Sequence, residues 1–227
     1  CYTHHRSPAR TPTGPFMSAA EPHDHDLYTF FDALAIRWDA QHTAARDDHL
    51  ARLLAPHHAL FDGVRHVVDV GTGTGAFLPH LDRLAPQARV TALDLSSVML
   101  AHAQASGRTC GVCCWLRADA HALPLASGQA DLVTCHDSFA HFERPAQALA
   151  EFRRVLAPGG ALLILHDISR EHVAHVHHAT GHPRIQAHVL PPACELAPLV
   201  TAAGFIVLAA IDAPDHYLIT ARVCPPP

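Results

Sequence analysis

Long hydrophobic runs are missing from this chain of 227 residues. The longest, Ala161-Leu162-Leu163-Ile164-Leu165 and Phe205 to Ile211, fall far short of the roughly 18 residues that a membrane span needs. No charged-then-apolar stretch opens the chain, so no secretory leader is expected. Basic runs are missing too. Lys and Arg number 16 against 21 Asp and Glu, a formal charge of −5 with histidine neutral. That balance argues against a nucleic-acid backbone as the partner. Charged residues are only 16% and hydrophobic residues 49% of the chain, which excludes a disordered composition. The seven cysteines are an odd, irregularly spaced set. They suit a reduced, cytoplasmic setting better than a disulfide framework. No internal repeat is present.

Histidine is what the chain has in excess, with 22 copies. Imidazole titrates at about pH 6.5, and full protonation would reverse the sign of the net charge. Solubility and metal affinity should therefore depend strongly on pH.

The length fits one domain with an appendage. Residues 1–16 carry prolines and glycines without an apolar period and read as a disordered extension. Met17 is the expected natural start, and 17–227 reads as a single domain. From Leu27 the pattern is helical, with Phe30, Phe31, Leu34 and Trp38 at spacings of three and four. A second helix over Thr43 to Leu54 ends before Pro56, so 27–56 forms an N-terminal helical cap. Strands are predicted over Val64–Val70, Arg89–Asp94, Val112–Arg117, Ala130–Cys135 and Ala161–His166. Helices fall between them, at Ala76–Leu84, from the N-cap Ser96 to Gly107, and over Pro145–Leu156. Pro158-Gly159-Gly160 reads as a turn. A last helix at 192–203 precedes two antiparallel strands, Phe205–Ile211 and His216–Arg222. Such alternation means an α/β fold, a parallel sheet with helices on both faces.

The first strand runs into Val67-Val68-Asp69-Val70-Gly71-Thr72-Gly73-Thr74-Gly75. Glycines between a strand and a helix let backbone N–H groups approach a ligand. No Gly-Lys-Ser/Thr follows, so this is not a P-loop. It fits the dinucleotide fingerprint loosely, with Asp94 placed 23 residues after Gly71 to hold ribose hydroxyls, so NAD is one reading. Asp69 before the loop, Ala118-Asp119-Ala120 closing the third strand and Glu151 to Gly160 before the fifth point to another cofactor.

With these motifs in order, the sequence resembles the class I S-adenosylmethionine (SAM) methyltransferases, in particular the type 11 group. The resemblance covers residues 27 to 223 and is strongest over 64 to 166. It implies a Rossmann-like sheet of seven strands in the order 3-2-1-4-5-7-6, with the last strand antiparallel. It also implies roles by position. Gly71, Thr72, Gly73 and Gly75 would cradle the methionine and ribose end of the cofactor. Asp69 would face its amino group, and Asp94 would accept both ribose hydroxyls, with Leu95 and Met99 beside the adenine. Asp119, Ala120 and His121 would line the adenine edge, and Cys135, His136 and Asp137 would lie near the sulfonium. The Asn/Asp-Pro-Pro-Tyr/Phe motif of nucleic-acid amino methyltransferases is lacking. The expected acceptor is thus a small molecule, and the expected state a monomer or homodimer.

Ligands in such sheets bind outside the carboxyl ends of the strands, and histidines collect there. His136, His141 and His166 are the candidate acid–base residues. The segment 167–192 is the expected substrate lid. If His172 to His182 is one helix, His172, His175, His178 and His182 share a face. His141, His166, His177 and His178 are candidate ligands for a divalent metal such as zinc. That reading would give a metal-linked enzyme acting on a thiol, metalloid or metal chelate, or a non-catalytic SAM- or metal-binding protein. Cys110-x-x-Cys113-Cys114 invites a metal or metalloid reading, but Cys113 and Cys114 fall inside the predicted third strand, where cysteine is an ordinary small apolar filler.

Overall fold

A computed structural model describes residues 29–35, 43–107 and 111–224. Strand sequences set the core. In β1 (His66–Val70), β2 (Arg89–Asp94), β4 (Ala130–His136) and β5 (Leu156–His166) the apolar residues run nearly without interruption. Strands of this kind are buried on both faces. Alternate residues serve opposite layers. Val68, Val70, Val133, Leu162 and Ile164 pack in one cluster, and Val67, Val90, Leu132, Leu163 and Leu165 in the other. With β3 (Val112–Arg117), β6 (Phe205–Asp212) and β7 (Tyr217–Val223) the sheet has the order 3-2-1-4-5-7-6. Strands β1 to β5 are parallel, and β7 runs antiparallel to both β5 and β6. The expected topology is therefore found. After the buried Phe205, edge strand β6 alternates exposed and half-buried residues, which leaves Ile206 and Leu208 exposed.

The helices follow their caps. A helical segment α1 covers residues 29–35. Thr43 accepts the N–H of Arg46 and opens α2 (Ala44–Leu54). After α3 (Leu78–Leu84), Ser96 accepts the N–H of Met99 at the start of α4 (Ser97–Ala105). Pro145 opens α5 (Pro145–Val155), where its missing N–H costs nothing. Ala148, Leu149, Phe152 and Val155 of α5, at helical spacing, are all buried against the sheet. Ser169 caps α6 (Arg170–Ala179), followed by α7 (Pro183–Ala187) and α8 (Ala193–Ala202). No helix of the described residues is long and apolar enough to cross a membrane.

Several boundaries differ from the sequence reading. β1 starts at His66 and α3 at Leu78, two residues later than predicted in each case. β5 starts at Leu156, so Pro158-Gly159-Gly160 lies within it. The register jumps there, with Ala130 opposite Leu156 and Leu132 opposite Ala161. The predicted turn survives as a bulge at which Gly159 takes φ +75°. The helix expected over His172 to His182 stops at Ala179, because Gly181 takes φ +67° and Pro183 starts a new helix. Tyr28, Trp38, Cys110 and the extension 1–16 lie outside the described residues.

Candidate functional site

The loop after β1 is pinned at its first turn. The N–H groups of Gly71 and Thr72 both donate to the Leu93 carbonyl, at 2.8 and 2.9 Å. A side chain at Gly71 is excluded twice. Its φ is +71°, and a Cβ would stand 2.3 Å from Ser138 Oγ. Gly73, at φ +54°, differs, since a Cβ there would meet no atom and would enter the open cavity. Gly75 serves packing instead. A Cβ would press on Leu78 at 3.0 Å and Ala103 at 3.3 Å, which fixes how closely α3 and α4 approach.

Asp69 lies behind the loop, 1% exposed. Its two oxygens accept the hydroxyls of Thr72 and Thr134, each at 2.6 Å. Burial raises its carboxyl against the pull of these bonds. Asp69 therefore braces the loop from beneath, with both oxygens already bonded within the fold.

Asp94, at the end of β2, faces the cavity. One oxygen accepts the N–H of Gly73 at 2.8 Å and the other the N–H of Ser96 at 2.9 Å. Burial, opposed by these bonds, pushes its pKa up to about 6. Each oxygen keeps a lone pair for a further donor. Asp119 accepts both the N–H and the ring Nδ1 of His121, at 2.9 and 2.6 Å. Burial raises its pKa, but the His121 bonds outweigh that effect and hold it low.

One cavity gathers Gly71, Thr72, Gly73, Asp94, Leu95, Met99, Asp119, Ala120, His121, His136 and Asp137. The three other residues expected on that wall, Asp69, Gly75 and Cys135, are not on it. Cys135 is buried in the core with its sulfur 3.0 Å from Ser138 Oγ, and burial raises its thiol.

Beyond β4 and β5 lies a charged cluster. Arg46 reaches in from α2 and grips Asp167 with Nε at 2.6 Å and Nη2 at 2.5 Å. Nη2 also donates to Asp137 at 2.5 Å. Asp137 holds φ +53°, the one described non-glycine residue in that region, which turns the chain sharply at the strand end. Its oxygens lie 3.5 Å from His136 Nε2 and 3.6 Å from His166 Nδ1. Burial raises both carboxyls, but the Arg46 bonds hold Asp167 low, while Asp137 stays raised beside the Asp167 charge. Burial lowers His166 to about 3, so its ring is neutral, and its Nε2 has no hydrogen-bond partner.

A second cavity, of about 420 Å³, opens between α1, α6 and α7. Phe30, Phe31, Leu34, Ile168, Val173 and Val176 form its apolar walls, and Arg46, Asp137, His141, His166 and His177 its polar side. Phe31, Asp137 and His141 line both cavities. They form the junction between the two.

The predicted metal quartet is not assembled. His178, like His172 and His175, is exposed. His177 gives its Nδ1 to the His188 carbonyl at 2.8 Å, and His141 Nδ1 faces His188 Nδ1 at 3.1 Å. Among the described residues, three ligating atoms come within 4.8 Å of one another only at His136, Asp137 and Asp167. There the guanidinium of Arg46 already supplies the positive charge.

Of the candidate acid–base residues, His136, His141 and His166 do meet at the strand ends. Sequence reading gave no role to Arg46, Asp167 or His188. Nothing local marks Arg46, whose partners lie 91 and 121 residues away. Asp167, next to His166 at the end of β5, did carry a positional signal.

Residues 68–164 match the family described as "Methyltransferase domain". The demethylmenaquinone methyltransferase of Thermus thermophilus is 40% identical over 108 residues, 47% of this chain and 49% of that protein. The malonyl-[acyl-carrier protein] O-methyltransferase of Hahella chejuensis is 37% identical over 97 residues, 43% of this chain and 34% of that protein. The chain thus spans half or less of the length of these two curated relatives. A SAM-dependent methyltransferase from Aquifex aeolicus has the same fold, with TM-score 0.64 at 22% identity, covering 85% of this chain and 98% of that one. Residues 68–164 thus match a methyltransferase domain, and the seven-stranded sheet has the fold of a solved SAM-dependent methyltransferase.

Proposed function

We propose that this chain methylates a small, largely apolar acceptor bearing an ionisable hydroxyl, held in the second cavity. One observation carries the reading: Phe31, Asp137 and His141 are shared walls of the two cavities. A methyl group passed at this junction travels directly from one cavity to the other, with both reactants held in place. The first cavity suits SAM by its acceptors and its open glycine face. Gly73 offers a face without a side chain, Asp94 keeps lone pairs for the ribose hydroxyls, and Asp119 keeps acceptor capacity for an adenine amino group. Bound there, SAM supplies an electrophilic methyl group on a sulfonium.

The second cavity is within the usual size for small-molecule sites, about 300–1,000 Å³. His166 Nε2, buried and without a partner, is suited to accept a hydrogen bond from a second hydroxyl of the acceptor, other than the one methylated. Among the described lining residues the one Lys or Arg is Arg46, and it is already bonded to two carboxylates. A carboxylate acceptor would therefore meet Asp137 without a free cation to balance it. That favours a neutral hydroxylated ring, such as a hydroquinone, over a malonyl-type acid. The test is incubation with SAM and either 1,4-dihydroxynaphthalene or a malonyl thioester, followed by mass spectrometry. The reading expects a singly methylated naphthol product and none from the thioester. Methylation of the thioester alone would refute it.

A further inference from the structure

His141 stands at the junction, and its ring continues into a chain of polar groups that leads away from it. Its Nδ1 lies 3.1 Å from Nδ1 of His188, which is buried. Two ring nitrogens at that distance share a proton, because two bare nitrogens or two N–H groups would repel. His177 packs on His141 with ring centroids 4.7 Å apart and donates Nδ1–H to the His188 carbonyl. Phe31 packs on His141 edge to face at 5.1 Å. These contacts fix the plane of the ring. On the far side, His188 Nε2 is buried with no hydrogen-bond partner, and Glu143 Oε1 is 3.7 Å away. Glu143 is open to solvent and is held by Arg184 at 2.6 Å. Burial lowers all three imidazoles, so they are neutral and can both give and take a proton. The Arg184 bond keeps the Glu143 carboxyl low, so it passes a proton to water and does not retain it.

We propose that His141, His188 and Glu143 form a proton exit path from the junction to solvent, with His141 as the base that receives the acceptor's proton. The inference rests on the methyl-transfer reading. Methylation of a neutral hydroxyl must release a proton. The acceptor oxygen forms its bond to the methyl carbon, and the carbon–sulfur bond breaks with its electron pair left on sulfur. The hydroxyl proton goes to His141 Nε2, and the Nδ1 proton of His141 moves to His188 Nδ1. The Nε2 proton of His188 moves to Glu143 and then to water. Both rings end in the opposite tautomer and are reset by exchange with water once the product leaves. Asp137, the other polar junction residue, accepts from Arg46 and from the Asp167 N–H, and neither can carry a proton onward. His188 lines neither cavity and acts through His141, whereas Glu143 stands at the solvent-exposed rim of the first cavity.

The test is acceptor-free. Full-length protein with 15N-labelled histidine is saturated with S-adenosylhomocysteine, and the exchange of the shared Nδ1 proton with water is followed by NMR in wild type and in Glu143→Gln. The variant keeps an oxygen for Arg184 and lies at the surface, so folding is not at stake. The proposal expects one proton shared by the two Nδ1 atoms. It also expects exchange slower by roughly tenfold or more in the variant, the scale on which a positioned acid–base group acts. An unchanged exchange rate, as a purely packing role for His188 would give, or two Nδ1 atoms without a proton between them, overturns it. A wild type that fails to bind S-adenosylhomocysteine in a calorimeter overturns the methyl-transfer reading instead, so the two failures are distinct.

Discussion

Replacing Arg46 with alanine removes the one guanidinium that holds Asp137 and Asp167 together. Three charge-assisted hydrogen bonds are lost, and the side chains left behind are 11% and 2% exposed. Taking one partner from a buried ion pair costs about 3–5 kcal/mol, most of it the stranded opposite charge. For a chain of this size each kcal/mol lowers Tm by about 2–4 °C, so the expected fall at pH 8 is about 6–20 °C. The sign with pH follows from the two carboxyls. In the wild type Arg46 holds Asp167 below the ordinary carboxylate range. That stability is present above the ordinary carboxyl pKa and is lost as pH falls through the lowered one. In the variant both carboxyls are raised, and protonation relieves the strain. The gap in Tm between wild type and Arg46→Ala should therefore narrow from pH 8 to pH 5. Thermal denaturation by circular dichroism at the two pH values measures this. A variant that melts with wild type at pH 8, or a gap that widens in acid, would refute the assignment of Arg46 as the internal counter-ion.

Three further outcomes are expected. Asp94, pushed up to about 6 by burial, must be ionised to accept ribose hydroxyls, so S-adenosylhomocysteine affinity should fall by about tenfold per pH unit below that value and level off above it; titration calorimetry from pH 5 to 8 shows whether it does. Gly71→Ala and Gly73→Ala should part company. Both carry the strain of a positive φ, but the first also meets Ser138 and should lower Tm much more, whereas the second meets no atom and should show its larger effect on cofactor binding, so a pairwise comparison of Tm and affinity decides. Phe152→Ala empties a fully buried site on α5 and should cost about 3–5 kcal/mol in chemical denaturation.

The alternation of apolar strands and capped helices was legible because it is local. Ser96, Thr43 and Pro145 mark helix starts within their own neighbourhoods, and the buried strands show in their composition alone. The strand order came from the family resemblance. Residues expected around the cofactor do line the first cavity at Asp94 and Gly73. Asp69 and Cys135 lie off that wall, where Thr134 bonds to Asp69 and Ser138 contacts Cys135. The histidine face on α6 illustrates the limit of periodicity. His172, His175 and His178 do recur at helical spacing, but the apolar positions Val173 and His177 face inward and leave them in solvent. Arg46 and His188 were hidden because their meaning lies wholly in contacts across the fold.

The most direct test of the central claim is calorimetric titration of S-adenosylhomocysteine into the wild type and into Asp94→Ala at pH 8. The account predicts saturable one-to-one binding that is lost in the variant. No binding to the wild type, or equal binding to both proteins, would contradict it.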